Sequence, residues 1–230
     1  MVAAGIRGLS SLFKFRRCAL CQGPARGGFL CDDCLGRLPR ILDRLCPVCA
    51  GPLSPGSQCC SSCAAKPRRY DRTFAAFRYE SPMDRLLLAL KFQNKTALAA
   101  ALAREVLAGC DVTGDVVVPV PLFEDRLRQR GANHAAEIAR YVAQELRLPM
   151  LPEGCKRLRD TQSQNGLSSR ERRENMHHAF SCKLDLREKS VIVVDDMMAS
   201  GATLNEMARA LKRRGAVHIT NLVVARAAKP

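Results

Sequence analysis

The sequence predicts an α/β fold: a mostly parallel sheet preceded by a small module without an apolar core of its own. Three observations carry this. Short runs of branched apolar residues at 116–120, 191–194 and 217–225 alternate with stretches of helical period, as in strands joined by helical crossovers. The run Val191-Ile192-Val193-Val194 has no polar alternation, which suits a parallel strand buried on both faces. Ahead of these, residues 15–68 carry four Cys-x-x-Cys pairs and few large apolar side chains. The expected division is therefore a cysteine module at 15–68 and an α/β domain at 72–230, joined by the basic stretch Lys66-Pro67-Arg68-Arg69.

The cysteine pairs are Cys18 with Cys21, Cys31 with Cys34, Cys46 with Cys49, and Cys60 with Cys63. Each pair offers two thiolates from one turn, and two turns close a tetrahedron, so two four-cysteine zinc sites are expected. Metal binding would supply folding free energy that the module lacks, roughly 10 kcal/mol or more per structural site. Sequential pairing of the turns is expected, and crossed pairing stays open. Cys59 is a spare thiol beside Cys60, whereas Cys110, Cys155 and Cys182 stand alone in the sequence and are expected to be buried or incidental. A disulfide framework would require secretion, and Arg7 interrupts the only apolar stretch near the N-terminus. No run approaches the ~20 apolar residues of a membrane span. A reducing cytoplasm and no membrane partner are expected.

The elements of the α/β domain follow in order. Residues 73–79 read as a strand anchored by Phe74 and Phe77, then 83–92 and 96–109 as helices with apolar period. Residues 116–120 form a short strand that runs into Pro119-Val120-Pro121, where missing N–H groups stop the ladder. Residues 132–146 are helical. Residues 157–175 are crowded with charged and hydroxylic side chains and read as a loop. A last strand–helix–strand unit spans 191–194, a helix near 203–214, and 217–225.

This last unit carries the chemistry. Asp195 and Asp196 end the buried strand, and Ser200-Gly201-Ala202-Thr203 opens the helix marked by Leu204, Met207, Ala208 and Leu211. Ligands of open α/β sheets bind at the carboxyl ends of strands. A tight turn of small and hydroxylic residues aims backbone N–H groups at an anion, usually phosphate. Two adjacent acids suit a pair of sugar hydroxyls, so a phosphorylated ribose is the expected ligand. Arg126, Arg128, Arg130 and Gly131 follow the proline turn, and Lys91 ends an apolar helix; either group could meet further phosphates.

The formal net charge is +15. Eight thiolates on two zinc ions bring this to roughly +11, still strongly basic, which makes nucleic acid a candidate partner. Few aromatics are interleaved with the basic residues, which argues against strong base stacking.

Together these segments resemble the ComF family, whose members join a double zinc ribbon to a phosphoribosyltransferase-like domain. The carriers are the four cysteine pairs, Tyr79, Leu90-Lys91-Phe92, Val118-Pro119-Val120-Pro121, Arg130-Gly131-x-Asn133, Arg159-x-Thr161-Gln162 with Arg172 and Asn175, and Ala179-Phe180. The run from Val191 to Thr203 is similar to the motif by which type I phosphoribosyltransferases bind phosphoribosyl pyrophosphate (PRPP). Ala132 and His134 depart from the family pattern, where an aromatic and a glutamine are usual.

The resemblance implies a type I phosphoribosyltransferase-like fold. It implies that Asp195 and Asp196 hold the ribose hydroxyls and would be the catalytic acids, with Mg²⁺ accompanying PRPP. Ser200, Gly201, Ala202 and Thr203 would cradle the 5′-phosphate, with Lys91, Arg130 and Arg159 completing the ligand site. It also implies a role in handling single-stranded DNA during natural transformation, with single-stranded DNA and a competence helicase as partners. The alternative is an active transferase that moves phosphoribosyl from PRPP to a nitrogen acceptor. Transfer to purines often uses an acid in the phosphate turn, and Ala199 stands there.

Overall fold

A computed structural model describes residues 16–25, 29–42, 44–92, 96–160 and 176–227. Its elements are β1 (Arg16–Arg17), β2 (Pro24–Ala25), α1 (Asp32–Gly36), α2 (Ser61–Ala65), β3 (Arg72–Arg78), α3 (Met83–Phe92), α4 (Thr96–Ala108) and β4 (Val116–Pro119). There follow α5 (Glu124–Arg130), α6 (His134–Leu146), β5 (Cys155–Arg157), β6 (Phe180–Cys182), β7 (Ser190–Met198), α7 (Ala202–Lys212) and β8 (His218–Arg226).

Four parallel strands in the order β3-β8-β7-β4 form the central sheet. Alternation along β7 explains its unbroken apolar run. Ile192 and Val194 join the core beneath α3, α4 and α6, while Val191 and Val193 join the core beneath α7. Both faces are covered, so every position from Val191 to Val194 is at most 1% exposed. The strand is longer than its apolar run suggests. It continues through Asp195 and Asp196 to Met198, because β8 stays paired alongside as far as Arg226. The helix predicted from residue 132 begins at His134, where the Asn133 side chain accepts the Ala135 N–H and caps it.

The cysteine module folds as two copies of one device. In the first, Cys18 N–H donates to the Gly23 carbonyl and Gln22 N–H to the Cys18 carbonyl; in the second, Cys46 pairs in the same way with Gly51 and Ala50. The second pair of each copy then opens a short helix, with Cys31 and Cys60 as N-caps of α1 and α2. The sulfurs of Cys18, Cys21, Cys31 and Cys34 lie within 4.8 Å of one another, as do those of Cys46, Cys49, Cys60 and Cys63. Cys21 and Cys31 Sγ are 3.7 Å apart, and Cys49 and Cys60 Sγ are 3.6 Å apart. A zinc tetrahedron with Zn–S of about 2.3 Å has edges of roughly 3.8 Å. Both clusters therefore fit structural zinc, with the turns paired sequentially. Cys59 lies outside both.

The module completes the core of the α/β domain. Cys18, Leu30, Cys34 and Leu38 pack into the cluster containing Phe77 and Leu86, while Cys46, Cys49, Cys63 and Tyr70 pack into the cluster on the α7 face. The stretch between the two copies covers the open edge of β3: Ile41 N–H donates to the Ala76 carbonyl and Arg78 N–H to the Pro39 carbonyl. No helix among the described residues is long and apolar enough to cross a membrane.

Candidate functional site

The site is a step at the carboxyl edge of the sheet. β4 ends at Pro119, paired with Val194, and the Val120 N–H makes the last bond, to the Val194 carbonyl. Neither Pro119 nor Pro121 can donate, so β7 runs on past its neighbour and Asp195 and Asp196 border open space. A cavity of about 240 Å³ fills this step.

Asp196 forms an ion pair with Lys91 at 2.8 Å from the last turn of α3. Burial alone would lower the Lys91 ammonium, but Asp196 and Asp195 hold it above its ordinary value, so it stays charged. Asp195 accepts the Asp196 N–H at 2.9 Å. Burial first, then the neighbouring Asp196 charge, push its carboxyl well above the ordinary carboxylate range. His134, at the start of α6, is held below the ordinary imidazole range by burial and the Arg130 charge. Its Nε2 lies 3.1 Å from the Lys91 carbonyl. A carbonyl only accepts, so Nε2 carries the proton of the neutral ring.

Beyond the acids the chain turns through Ala199, Ser200 and Gly201 into α7. Gly201 sits at φ +76°, and a Cβ there would meet Met198 Cε at 2.5 Å and the Tyr70 hydroxyl at 2.9 Å. Only glycine suits both the dihedral and the space. Ser200 Oγ accepts the Ala202 N–H at 3.3 Å, and Gly201, the N-cap, has no side chain with which to cap its neighbours. The first turn of α7 thus presents backbone donors, with the positive end of the helix dipole behind them, to the cavity that Gly201 and Thr203 line.

The buried Arg226 guanidinium holds this turn from behind. Its Nε donates to the Cys49 carbonyl at 3.0 Å, and its Nη1 donates to the Met198 carbonyl at 3.1 Å and to the carbonyls of Ala199 and Ala227. One side chain therefore ties a turn of the second zinc cluster to the turn before α7.

The cavity gathers Asp195, Asp196, Lys91, Arg130, Gly201 and Thr203 from the residues marked in the sequence. Ser200 and Ala202 shape the turn without lining the cavity. Arg159 donates to the His177 carbonyl and lies outside the lining. Thr161, Gln162, Arg172 and Asn175 fall outside the described residues. Arg128 is engaged by Glu124 and Asp125 on the exposed face of α5. Arg126, marked in the sequence after the proline turn, also lines the cavity and pairs with Asp160 at 2.7 Å. So does Arg157, from the charged 157–175 stretch, which burial holds below the ordinary guanidinium range. Arg226 and Tyr70 were not legible as site residues. Each stands in an unremarkable sequence context and arrives through the fold. The placement of Cys155 and Cys182 corrects their reading as isolated: they face each other across β5 and β6.

Residues 96–230 match the phosphoribosyl transferase domain, and residues 9–64 match the double zinc ribbon domain. The chain is 32% identical to Competence protein F of Haemophilus influenzae over 169 residues, covering 69% of this chain and 74% of that protein. It is also 32% identical to DNA utilization protein YhgH of Escherichia coli over 158 residues, covering 65% of this chain and 70% of that protein. Among solved structures, a purine phosphoribosyltransferase from Pyrococcus horikoshii is similar at 18% identity and a TM-score of 0.35, over 67% of this chain and 77% of that one. The chain belongs to the phosphoribosyl transferase domain family and, with its double zinc ribbon, to the ComF group within it.

Proposed function

We propose that the cavity binds PRPP or a closely related phosphorylated ribose, and that the protein uses this site while handling single-stranded DNA during natural transformation. One observation carries the ligand: a single cavity joins an adjacent acid pair to the start of a helix whose N-cap, Gly201, has no side chain to cap it. Asp195 and Asp196 accept the ribose hydroxyls. The backbone of 201–203 and the Thr203 hydroxyl receive the 5′-phosphate. Lys91, Arg126, Arg130 and Arg157 line the same cavity and face the pyrophosphate.

The two carboxylates are hard oxygen donors and fit Mg²⁺, which would neutralise pyrophosphate charge when bound. His134, neutral and hydrogen-bonded to the Lys91 carbonyl, keeps the end of α3 in place without adding charge.

The DNA role draws on the relatives named for competence and DNA utilization. It is supported by a largely basic depression lined by Arg68, Arg69, Arg209, Lys212 and Arg213 with one acid, Asp71, at the last turn of α7, whereas the cavity is lined by the start of that helix. Single-stranded DNA is the partner proposed for that face, with a competence helicase as a second partner. Eight of the twelve cysteines stand in clusters that fit zinc, which suits a reducing cytoplasm.

Thermal denaturation of the zinc-loaded protein with PRPP, ribose 5-phosphate or pyrophosphate, each with Mg²⁺, tests the ligand. At one hundred times its dissociation constant PRPP stabilises by about 2.7 kcal/mol, a rise of roughly 5–10 °C. The two fragments should give smaller shifts. No shift with PRPP overturns the reading, and pyrophosphate release in the presence of an added nitrogen base would favour an active transferase.

A further inference from the structure

Strands β5 and β6 form a two-stranded antiparallel sheet in which Cys155 is paired with Cys182. Leu158 N–H donates to the Ala179 carbonyl and Lys183 N–H to the Gly154 carbonyl, both at 2.8 Å. These bonds mark 158/179 and 154/183 as hydrogen-bonded pairs. By alternation, 155/182 is a non-hydrogen-bonded pair, the position at which facing side chains come closest. The Cα separation of about 4.5 Å typical of such pairs lies within the range a disulfide spans.

The two cysteines differ in access. Cys155 is 3% exposed and packs in the core, whereas Cys182 is half-buried and borders a surface cleft with His178, Arg209, Arg213 and Arg214. Their protonation is shared unequally. The Cys182 thiol is lowered to about 7, first by a hydrogen bond from Cys155, then by the Leu184 backbone and the Arg214 charge, against the opposing effect of burial. The Cys155 thiol is raised by the same hydrogen bond and by burial. The accessible sulfur is thus the nucleophile, with its partner thiol directly behind it.

We infer that Cys155 and Cys182 form a reversible redox modification site, closed to a cross-strand disulfide by hydrogen peroxide or a small organic peroxide. Cys182 Sγ attacks one peroxide oxygen and the O–O bond breaks, giving a sulfenic acid and the first water (or alcohol). Cys155 Sγ then attacks the sulfenic sulfur, the S–O bond breaks, and a second water leaves with the Cys155 proton. Two thiols lose two electrons in all, and the peroxide is reduced. The bond ties together the two ends of the segment between β5 and β6, beside Arg157 at the cavity. This site is independent of the PRPP reading.

The full-length zinc-loaded protein is treated with equimolar hydrogen peroxide, alkylated, digested and analysed by mass spectrometry, with zinc release followed in parallel. The expected result is a Cys155–Cys182 linked peptide that dithiothreitol removes, while both zinc ions are retained. In a second arm, Cys182 of the untreated protein is alkylated at pH 7 in wild type and in Cys155→Ala. The rate should fall about tenfold in the variant as the thiol returns toward ordinary values near 8.5. Oxidation at the zinc cysteines without the 155–182 link, or equal alkylation of Cys182 and Cys110 in the wild type, overturns the inference.

Discussion

Gly201 bears two constraints at once, a left-handed backbone and close approach to Met198 and the Tyr70 hydroxyl. Gly201→Ala should cost more than ~1 kcal/mol and should weaken PRPP binding at least tenfold, measured by denaturation and titration of the same variant. Asp195 makes a sharper prediction, because its site works against the fold. An acid held above its ordinary pKa destabilises the fold at any pH where the unfolded chain is ionised. Asp195→Asn should therefore raise Tm at pH 7, and the gain should begin to shrink once pH falls below the raised Asp195 pKa and vanish in the ordinary carboxylate range, where the unfolded chain is protonated too. Ligand binding runs the other way, since accepting hydroxyls and a cation requires the carboxylate. PRPP affinity should fall as pH falls through that same pKa, with proton uptake on release of the ligand, and the variant should bind poorly throughout. Calorimetry in buffers of different ionisation enthalpy checks the proton count. Asp195 and Asp196 were legible because strand, acids, turn and helix are contiguous in sequence. Arg226 was not, because an arginine ending a strand reads the same whether it holds a neighbouring turn or faces water.

Among the elements, β4 and β7 make the site by ending at different heights, and β8 carries Arg226 beneath the turn. The prolines that stop β4 were visible in sequence, but the continuation of β7 through its acids was not, because polar residues after an apolar run look like its end. The zinc turns show the same limit. Spacing revealed eight ligands, yet only the fold shows that the second cluster is tied to the turn before α7 through the Cys49 carbonyl and Arg226. Loss of the two clusters should therefore differ in consequence. Cys60→Ser should remove one zinc equivalent and weaken PRPP binding by tenfold or more, whereas Cys31→Ser should remove the other with a smaller effect on affinity. Arg226→Met should reproduce the Cys60 defect in ligand binding while both zinc ions remain, since it leaves the Met198 and Ala199 carbonyls without their shared donor. Metal content and PRPP titration on each variant separate these outcomes.

At the scale of the whole molecule, the cysteine module is a wedge around the β3 edge that reaches both cores. Chelation of zinc should therefore loosen the α/β domain and not only the module, seen as loss of the cooperative thermal transition. The charge pattern belongs to this scale as well. The chain is strongly basic overall, and the fold gathers Arg68 and Arg69 with Lys212 and Arg213 in one depression that holds a single acid, Asp71. Replacing Arg69, Lys212 and Arg213 with Gln should weaken binding to single-stranded oligonucleotides uniformly across sequences. Every phosphate that thereby goes without a cationic partner should reduce the slope of log affinity against log salt by about 0.7. PRPP affinity should be unchanged, because the cavity is lined by the start of α7 and none of these three residues lines it.

The central claim is that the acid pair and the helix start serve one ligand. Calorimetric titration of the zinc-loaded protein with PRPP and Mg²⁺, beside Asp195→Ala/Asp196→Ala with its zinc content verified, tests it most directly. The account predicts one binding site per chain in the wild type and at least a hundredfold loss in the double variant. Equal affinity in both proteins, or no binding to the wild type, would contradict it.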